Sequence, residues 1–141
     1  MLDLTYYYNV VENAISELGV NPSSARTKKA GQWDLRKGSA SVWINVLLSS
    51  ERKDYGYLQI MSPLMRLPSA EVRATFFEEL LRLNHQLYGV AFSVYEGWVY
   101  LRAIRELEGL SKQETLAMLK RIGTYADEYD DYFKRKYGRQ L

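Results

Sequence analysis

The chain has 141 residues, no cysteine, one histidine (His85) and a formal charge of +2, with 47% hydrophobic and 26% charged residues. A chain of this size and composition buries a core of its own as one domain, which excludes disordered and low-complexity classes. Without cysteine there are no disulfides, thiolate metal sites or cysteine nucleophiles, and a charge so near neutral is not the footprint of a nucleic-acid or membrane-surface protein.

Apolar positions at Leu4, Val11, Ala14, Ile15 and Leu18 fall at helical spacing, with Asp3 placed to cap the start and Gly19 to end the run. Asn21 to Gly31 reads as a polar connection. From Gln32 the period changes to two. Trp33 and Leu35 alternate with polar residues, Lys37-Gly38-Ser39 marks a turn, and Val42, Ile44, Val46 and Leu48 alternate with Trp43, Asn45 and Leu47. Tyr55 to Ser62 alternates again, completing a three-stranded meander, and Pro63 and Pro68 bracket an irregular link. Val72, Phe76, Phe77, Leu80, Leu81, Leu83, Asn84 and Leu87 form a broad helical stripe closed by Gly89. A hairpin follows, with Glu96-Gly97 as its two-residue turn. Ser111 and Glu114 have the spacing of a capping box, ahead of a long helix from about Lys112 to Lys136. The expected order is α-β-β-β-α-β-β-α, an α+β fold with a five-stranded antiparallel sheet in a single domain over residues 1–141.

The strand residues divide into two sets. Val42, Ile44, Val46, Leu48, Leu58, Ile60, Val90, Phe92, Val94, Val99 and Leu101 make an aliphatic face suited to lie under helices. The other face carries Trp43, Asn45, Tyr55, Tyr57, Gln59, Met61, Ser93, Tyr95, Trp98, Tyr100 and Arg102. Uncovered, it is a wide aromatic surface able to hydrogen-bond, of the kind that marks an interface; solvated strands also favour Tyr and Trp through β-propensity alone. The candidate protein-binding or dimer-interface residues are Trp43, Tyr57, Met61, Tyr95, Trp98 and Tyr100. Most of the twelve tyrosines are expected at such core-to-solvent edges along the chain.

No nucleophile, metal-ligand or phosphate-loop motif is present, and His85 in a last helical turn is where a helix dipole favours it. No enzyme activity, cofactor or metal is expected. Asp127, Glu128, Asp130 and Asp131 read as a solvated helix face, neutralised in part by Lys134 and Arg135. Asn84 points toward the apolar stripe and reads as an amide that satisfies loop backbone. Basic residues gather at Arg26, Lys28 and Lys29, and at Lys134, Arg135, Lys136 and Arg139. They support an alternative reading, a nucleic-acid or ribonucleoprotein accessory protein using residues 26–29 and 134–139. A pocket for a small molecule among Trp43, Tyr57, Tyr95 and Trp98 is a third.

Trp33-Asp34-Leu35 with Gly38-Ser39-Ala40, Ser62-Pro63-Leu64, Leu83-Asn84 before the Phe92 and Trp98 hairpin, Gly109-Leu110-Ser111 and Ala126-Asp127-Glu128-Tyr129 span most of the chain. On these the chain resembles the YbjN-like proteins, bacterial sensory-transduction regulators whose fold is similar to the class I type III secretion chaperones. The resemblance implies an α+β homodimer that binds a polypeptide and performs no chemistry. In the secretion chaperones an extended client segment wraps the dimer, mixing strand addition with apolar pockets. No run of apolar residues is long enough to span a bilayer, and no basic residue precedes Arg26, so a cytoplasmic protein without a membrane partner is expected.

Overall fold

Asp3 opens the first helix, α1 (Leu4–Glu17), its carboxylate accepting from the Tyr6 amide at 3.2 Å. The computed structural model describes residues 2–138. Val10, Val11, Ala14 and Ile15 give α1 its buried stripe, and Gly19 at φ +85° ends it, a conformation costly for any residue with a Cβ. The expected polar connection holds one further turn of helix, α2 (Pro22–Ala25). Asn21 caps it, Pro22 occupies a first-turn position where its missing N–H leaves nothing unpaired, and Ala25 is buried.

Five strands follow the period-two pattern: β1 (Gln32–Lys37), β2 (Ala40–Leu48), β3 (Gly56–Arg66), β4 (Ala91–Tyr95) and β5 (Trp98–Glu106). All pairs are antiparallel, in the order β1-β2-β3-β5-β4. One expectation is corrected here. The meander's last strand does not stop at Ser62 but runs through Pro63 to Arg66. Pairing to β2 ends at Trp43 opposite Met61, and against β5 the register shifts between Pro63 and Met65. A bulge accommodates the residue that cannot donate to the ladder. The Ser62 hydroxyl donates to the Ser41 carbonyl at 2.6 Å and ties the same spot to β2.

The aliphatic sheet face carries α1 and the long helix α4 (Lys112–Tyr137), enclosing Ile15, Ile44, Leu58, Ile60, Leu101 and Ile122 with no exposed surface. Two positions of the expected inner set, Leu48 and Val94, lie at strand ends beyond the helices and stay exposed. Ser111 caps α4 by accepting from the Glu114 amide at 3.0 Å. Only that half of the capping box forms, because the Glu114 carboxylate pairs with Arg105 of β5 instead.

A 3-10 turn (Ala70–Val72) leads into α3 (Arg73–Gln86), which stands beside β4 rather than across the sheet. It meets the molecule along one narrow seam. Of its expected stripe only Phe76 and Leu80 are buried, while Phe77 and Leu81 remain 37% and 69% exposed. In the seam Phe76, Phe92, Tyr129, Phe133 and Tyr137 pack edge to face or stacked, with ring centroids 4.8 to 6.1 Å apart.

Glu79 closes this seam from α3. It accepts from the Tyr132 and Tyr137 hydroxyls, both at 2.5 Å, and from the Lys136 ammonium at 3.0 Å. Burial alone would raise the Glu79 pKa, but those hydrogen bonds outweigh it and hold the carboxyl below its usual value. On the other side of the bond, burial and then the Glu79 carboxylate push the Tyr137 phenol up to about 12.

Candidate functional site

The second face of the sheet carries an exposed or half-buried row of aromatic and polar residues. Trp43 is exposed, Tyr57, Gln59, Met61, Tyr100 and Arg102 are half-buried, and Ile104, which continues the row on β5, is 47% exposed. The register explains how they assemble. Trp43 lies opposite Met61, Met61 opposite Arg102, and Gln59 opposite both Asn45 and Ile104. Each pair places side chains on the same side of the pleat. Arg102 donates to the Gln59 side chain at 2.8 Å, so the polar part of this face is internally bonded while the aromatic part is not.

Toward the β1–β2 turn the face deepens into a cleft of about 810 Å³. Trp43, Trp98 and Tyr100 line it together with Pro63, Met65 and Arg66. The β3 bulge opens the space: by shifting register after Pro63 it bends the strand at the level of the aromatic rings. Trp43 and Tyr100 meet at 6.1 Å between ring centroids, and the Arg66 guanidinium lies 5.3 Å from the Trp98 ring. The last turns of α4 form one wall through Asp130 and Lys134.

Asp130 corrects the reading of the acidic run as a solvated face. It is 2% exposed, accepts from the Ser39 hydroxyl at 2.8 Å, and pairs with Lys134 at 2.8 Å. Asp127 accepts from the Ser39 amide. This part of the acidic run anchors the β1–β2 turn to α4. No group of acids and histidine among the described residues could hold a metal ion.

Of the six residues singled out from sequence, the cleft brings together Trp43, Trp98 and Tyr100, with Met61 beside Trp43. Tyr57 lies away from it, opposite Leu47 and Glu106 at the far end of the sheet. Tyr95 is paired with Trp98 at the tip of the second hairpin, 62% exposed and outside the cleft. A pocket made jointly by Trp43, Tyr57, Tyr95 and Trp98 therefore does not form. Sequence reasoning missed Pro63, Met65 and Arg66, because Pro63 was read as the end of a strand.

The sheet edges differ in how far they are closed. On β4 the Asn84 side chain of α3 grips Phe92, its oxygen accepting from the Phe92 amide at 2.6 Å and its nitrogen donating to the Phe92 carbonyl at 3.3 Å. Asn84 thus acts as the structural amide that its place on the stripe suggests. On β1, Thr27 donates its amide to the Gln32 carbonyl and Arg26 bridges to Trp33, covering the strand's beginning. Glu12 supports this cover. It accepts two bonds from Arg26, at 2.6 and 2.7 Å, and one from the Trp33 indole at 2.9 Å. The Arg26 contact is the main reason the Glu12 carboxyl sits below its usual pKa.

The two basic clusters are thereby partly spent. Arg26 is paired with Glu12, Lys134 with Asp130 and Lys136 with Glu79. Arg139 lies outside the described residues. His85 is exposed in the last turn of α3. No described helix is long and apolar enough to cross a membrane.

Comparison with known proteins agrees with this architecture. A family model described as T3SS (YopN, CesT) and YbjN peptide-binding chaperone 1 matches residues 7–140. Among solved structures, a chain of the ExsC-ExsE complex superposes with a TM-score of 0.66 at 16% identity, covering 92% of this chain and 96% of that one. A chain of the HopA1-SchA chaperone-effector complex superposes with a TM-score of 0.64 at 10% identity, covering 93% and 99%. At such identities these two likenesses concern the fold. No curated protein matches the chain by sequence.

Proposed function

We propose that this chain, which belongs to the T3SS and YbjN peptide-binding chaperone family, works without catalysis as a homodimer that holds a polypeptide partner against the open face of its sheet. The observation that carries this reading is the cleft at Trp43, Trp98 and Tyr100. Three large rings with a polar edge each stand over about 810 Å³ of open space, with no helix laid across them. Aromatic side chains of this kind supply contact area at low entropic cost, which suits capture of a chain segment.

Self-association falls to α3. Phe77 and Leu81 sit one turn apart on its unpartnered flank, and with Tyr88 they expose apolar surface that a second copy would cover. Light scattering coupled to size exclusion tests this directly. The expected result is a dimer at micromolar concentration that becomes monomeric in Phe77→Glu/Leu81→Glu; a wild-type monomer removes the dimer from the proposal.

Peptide capture has a built-in reporter. Trp43 and Trp98 line the cleft, whereas Trp33 is 2% exposed and bonded to Glu12. Titration with unfolded polypeptide should change the tryptophan emission of the wild type, and Trp98→Glu/Tyr100→Glu should abolish binding while the circular dichroism stays the same. Unchanged binding in that variant would move capture away from the cleft.

A further inference from the structure

The aromatic cleft carries hydrogen-bond donors that the chain itself does not use. The Trp33 indole donates to Glu12, whereas the indoles of Trp43 and Trp98 and the hydroxyl of Tyr100 have no partner among the described residues. No buried side-chain polar atom is left unpaired among those residues, so the polar groups of half-buried Trp98 and Tyr100 reach solvent, as exposed Trp43 does. An indole N–H can only donate. Whatever lies in the cleft is therefore matched best by free acceptors.

The sheet at this point offers no ladder to extend. Trp43 stands on β2, and Trp98 and Tyr100 on β5, both interior strands. Trp43 is paired with Asp34 on one side and Met61 on the other, and Tyr100 with Pro63 and Ser93. A segment lying over these rings cannot join the sheet as a further strand. It must bond its own backbone, as a helix does, or leave that backbone solvated, as polyproline II does. The unused donors decide between the two. A helix keeps its carbonyls for its own N–H groups, whereas polyproline II presents them outward. Proline adds to this, because it brings no N–H that an aromatic ring would leave unpaired, and its fixed φ lowers the cost of ordering the segment.

Spacing and charge agree with such an occupant. Trp98 and Tyr100 are two residues apart, about 7 Å along an extended strand, and two residues of polyproline II span about 6 Å. A segment running along β5 thus meets the two rings with successive two-residue steps. The α4 wall is neutralised, since Asp130, the one carboxylate lining the cleft among the described residues, is paired with Lys134 and bonded to Ser39. Arg66 at the other end is exposed, lies opposite Trp98 with its guanidinium 5.3 Å from that ring, and is in no ion pair among the described residues. That end suits a carboxylate.

On the reading of the cleft as the polypeptide-binding surface, on which this inference rests, we propose that the occupant is a proline-rich segment in the polyproline II conformation, its carbonyls accepting from Trp43, Trp98 and Tyr100 and an acidic residue at its end paired with Arg66.

The test uses the full chain and three fluorescein-labelled peptides: five Ala-Pro repeats flanked at each end by aspartate, the same peptide with alanine for every proline, and the proline peptide flanked by lysine. Anisotropy should show the acid-flanked proline peptide binding about tenfold more tightly than the alanine peptide and about threefold more tightly than the lysine-flanked one. Trp98→Phe/Tyr100→Phe keeps both rings and removes two donors; it should weaken the proline peptide about tenfold at an unchanged urea midpoint. Arg66→Glu should reverse the preference between the acid- and lysine-flanked peptides. Equal affinity of the proline and alanine peptides in the wild type, tighter binding of the alanine peptide as a helix, or full affinity in a folded Trp98→Phe/Tyr100→Phe would each overturn the proposal, and a charge preference that survives Arg66→Glu would remove the carboxylate from it. If unfolded polypeptide is bound by the wild type and lost in Trp98→Glu/Tyr100→Glu while proline brings no gain, the cleft reading stands and the polyproline inference falls alone. If neither that polypeptide nor any peptide changes tryptophan emission or anisotropy, both fall.

Discussion

The seam between α3 and α4 and the open face of the sheet draw on the same residue types and put them to opposite uses. In the seam, Phe76, Phe133 and Tyr137 are at most 4% exposed, and the polar tips of Tyr132 and Tyr137 end on one carboxylate. On the open face, Trp43 and Tyr100 meet at the lining of a cleft, the first exposed and the second half-buried. An aromatic ring contributes to stability when it is surrounded and its hydroxyl is bonded; left half-covered, the same ring is held ready for contact. The difference lies in the neighbours supplied by the fold.

Removing a ring from the seam therefore gives the largest expected effect. Phe133 has no exposed surface and touches Phe76, Phe92, Tyr129 and Tyr137. Phe133→Ala should destabilise by about 3–5 kcal/mol, seen as a lowered urea midpoint with an unchanged slope. A loss below about 1 kcal/mol would mean that the seam packs loosely and that the contrast with the open face is only one of exposure.

Glu79 comes next. Glu79→Gln keeps the shape of the side chain but exchanges charge-assisted acceptors for neutral ones, and should cost about 1–3 kcal/mol at pH 7. The sign of its pH dependence follows from the depressed carboxyl. Ionised Glu79 contributes stability above the ordinary glutamate pKa and loses it as the pH falls through the lowered folded value. Wild type and Glu79→Gln should thus converge in acid. Tyr137 titrates in the other direction: its raised pKa contributes stability that is present below pH 10 and disappears as the pH rises toward about 12. Tyr137→Phe should remove that alkaline loss from a series of denaturation curves.

Much of this contrast is legible in the residues. Period-two alternation places Trp43, Met61, Trp98 and Tyr100 on one face and Ile44, Ile60 and Leu101 on the other, because a strand has only two sides. The cleft is not legible, since it depends on a bulge at Pro63 whose cost is met by contacts to a strand thirty-seven residues further on, Tyr100. The burial of Asp130 is hidden for the same reason: its partner Ser39 is 91 residues away. Helical spacing puts Phe77 and Leu81 in the same stripe as Phe76 and Leu80. It cannot say that α3 stands at an edge strand, where only a narrow band of its surface finds a neighbour.

The smallest expected effect sharpens the comparison most. Trp43 is 37% exposed, and its aromatic neighbour on the open face is Tyr100, 6.1 Å away. Trp43→Ser removes a far larger side chain than Tyr137→Phe does, yet should cost only about 0.5–1 kcal/mol of stability, the scale of one partly exposed aromatic pair. Paired with the emission titration, the substitution asks whether size or surroundings decide what a ring does. A near-wild-type urea midpoint with weakened polypeptide binding assigns Trp43 to contact; a loss of 3 kcal/mol or more would place it with the seam as a packing residue, and the open face would then be a second core surface awaiting cover.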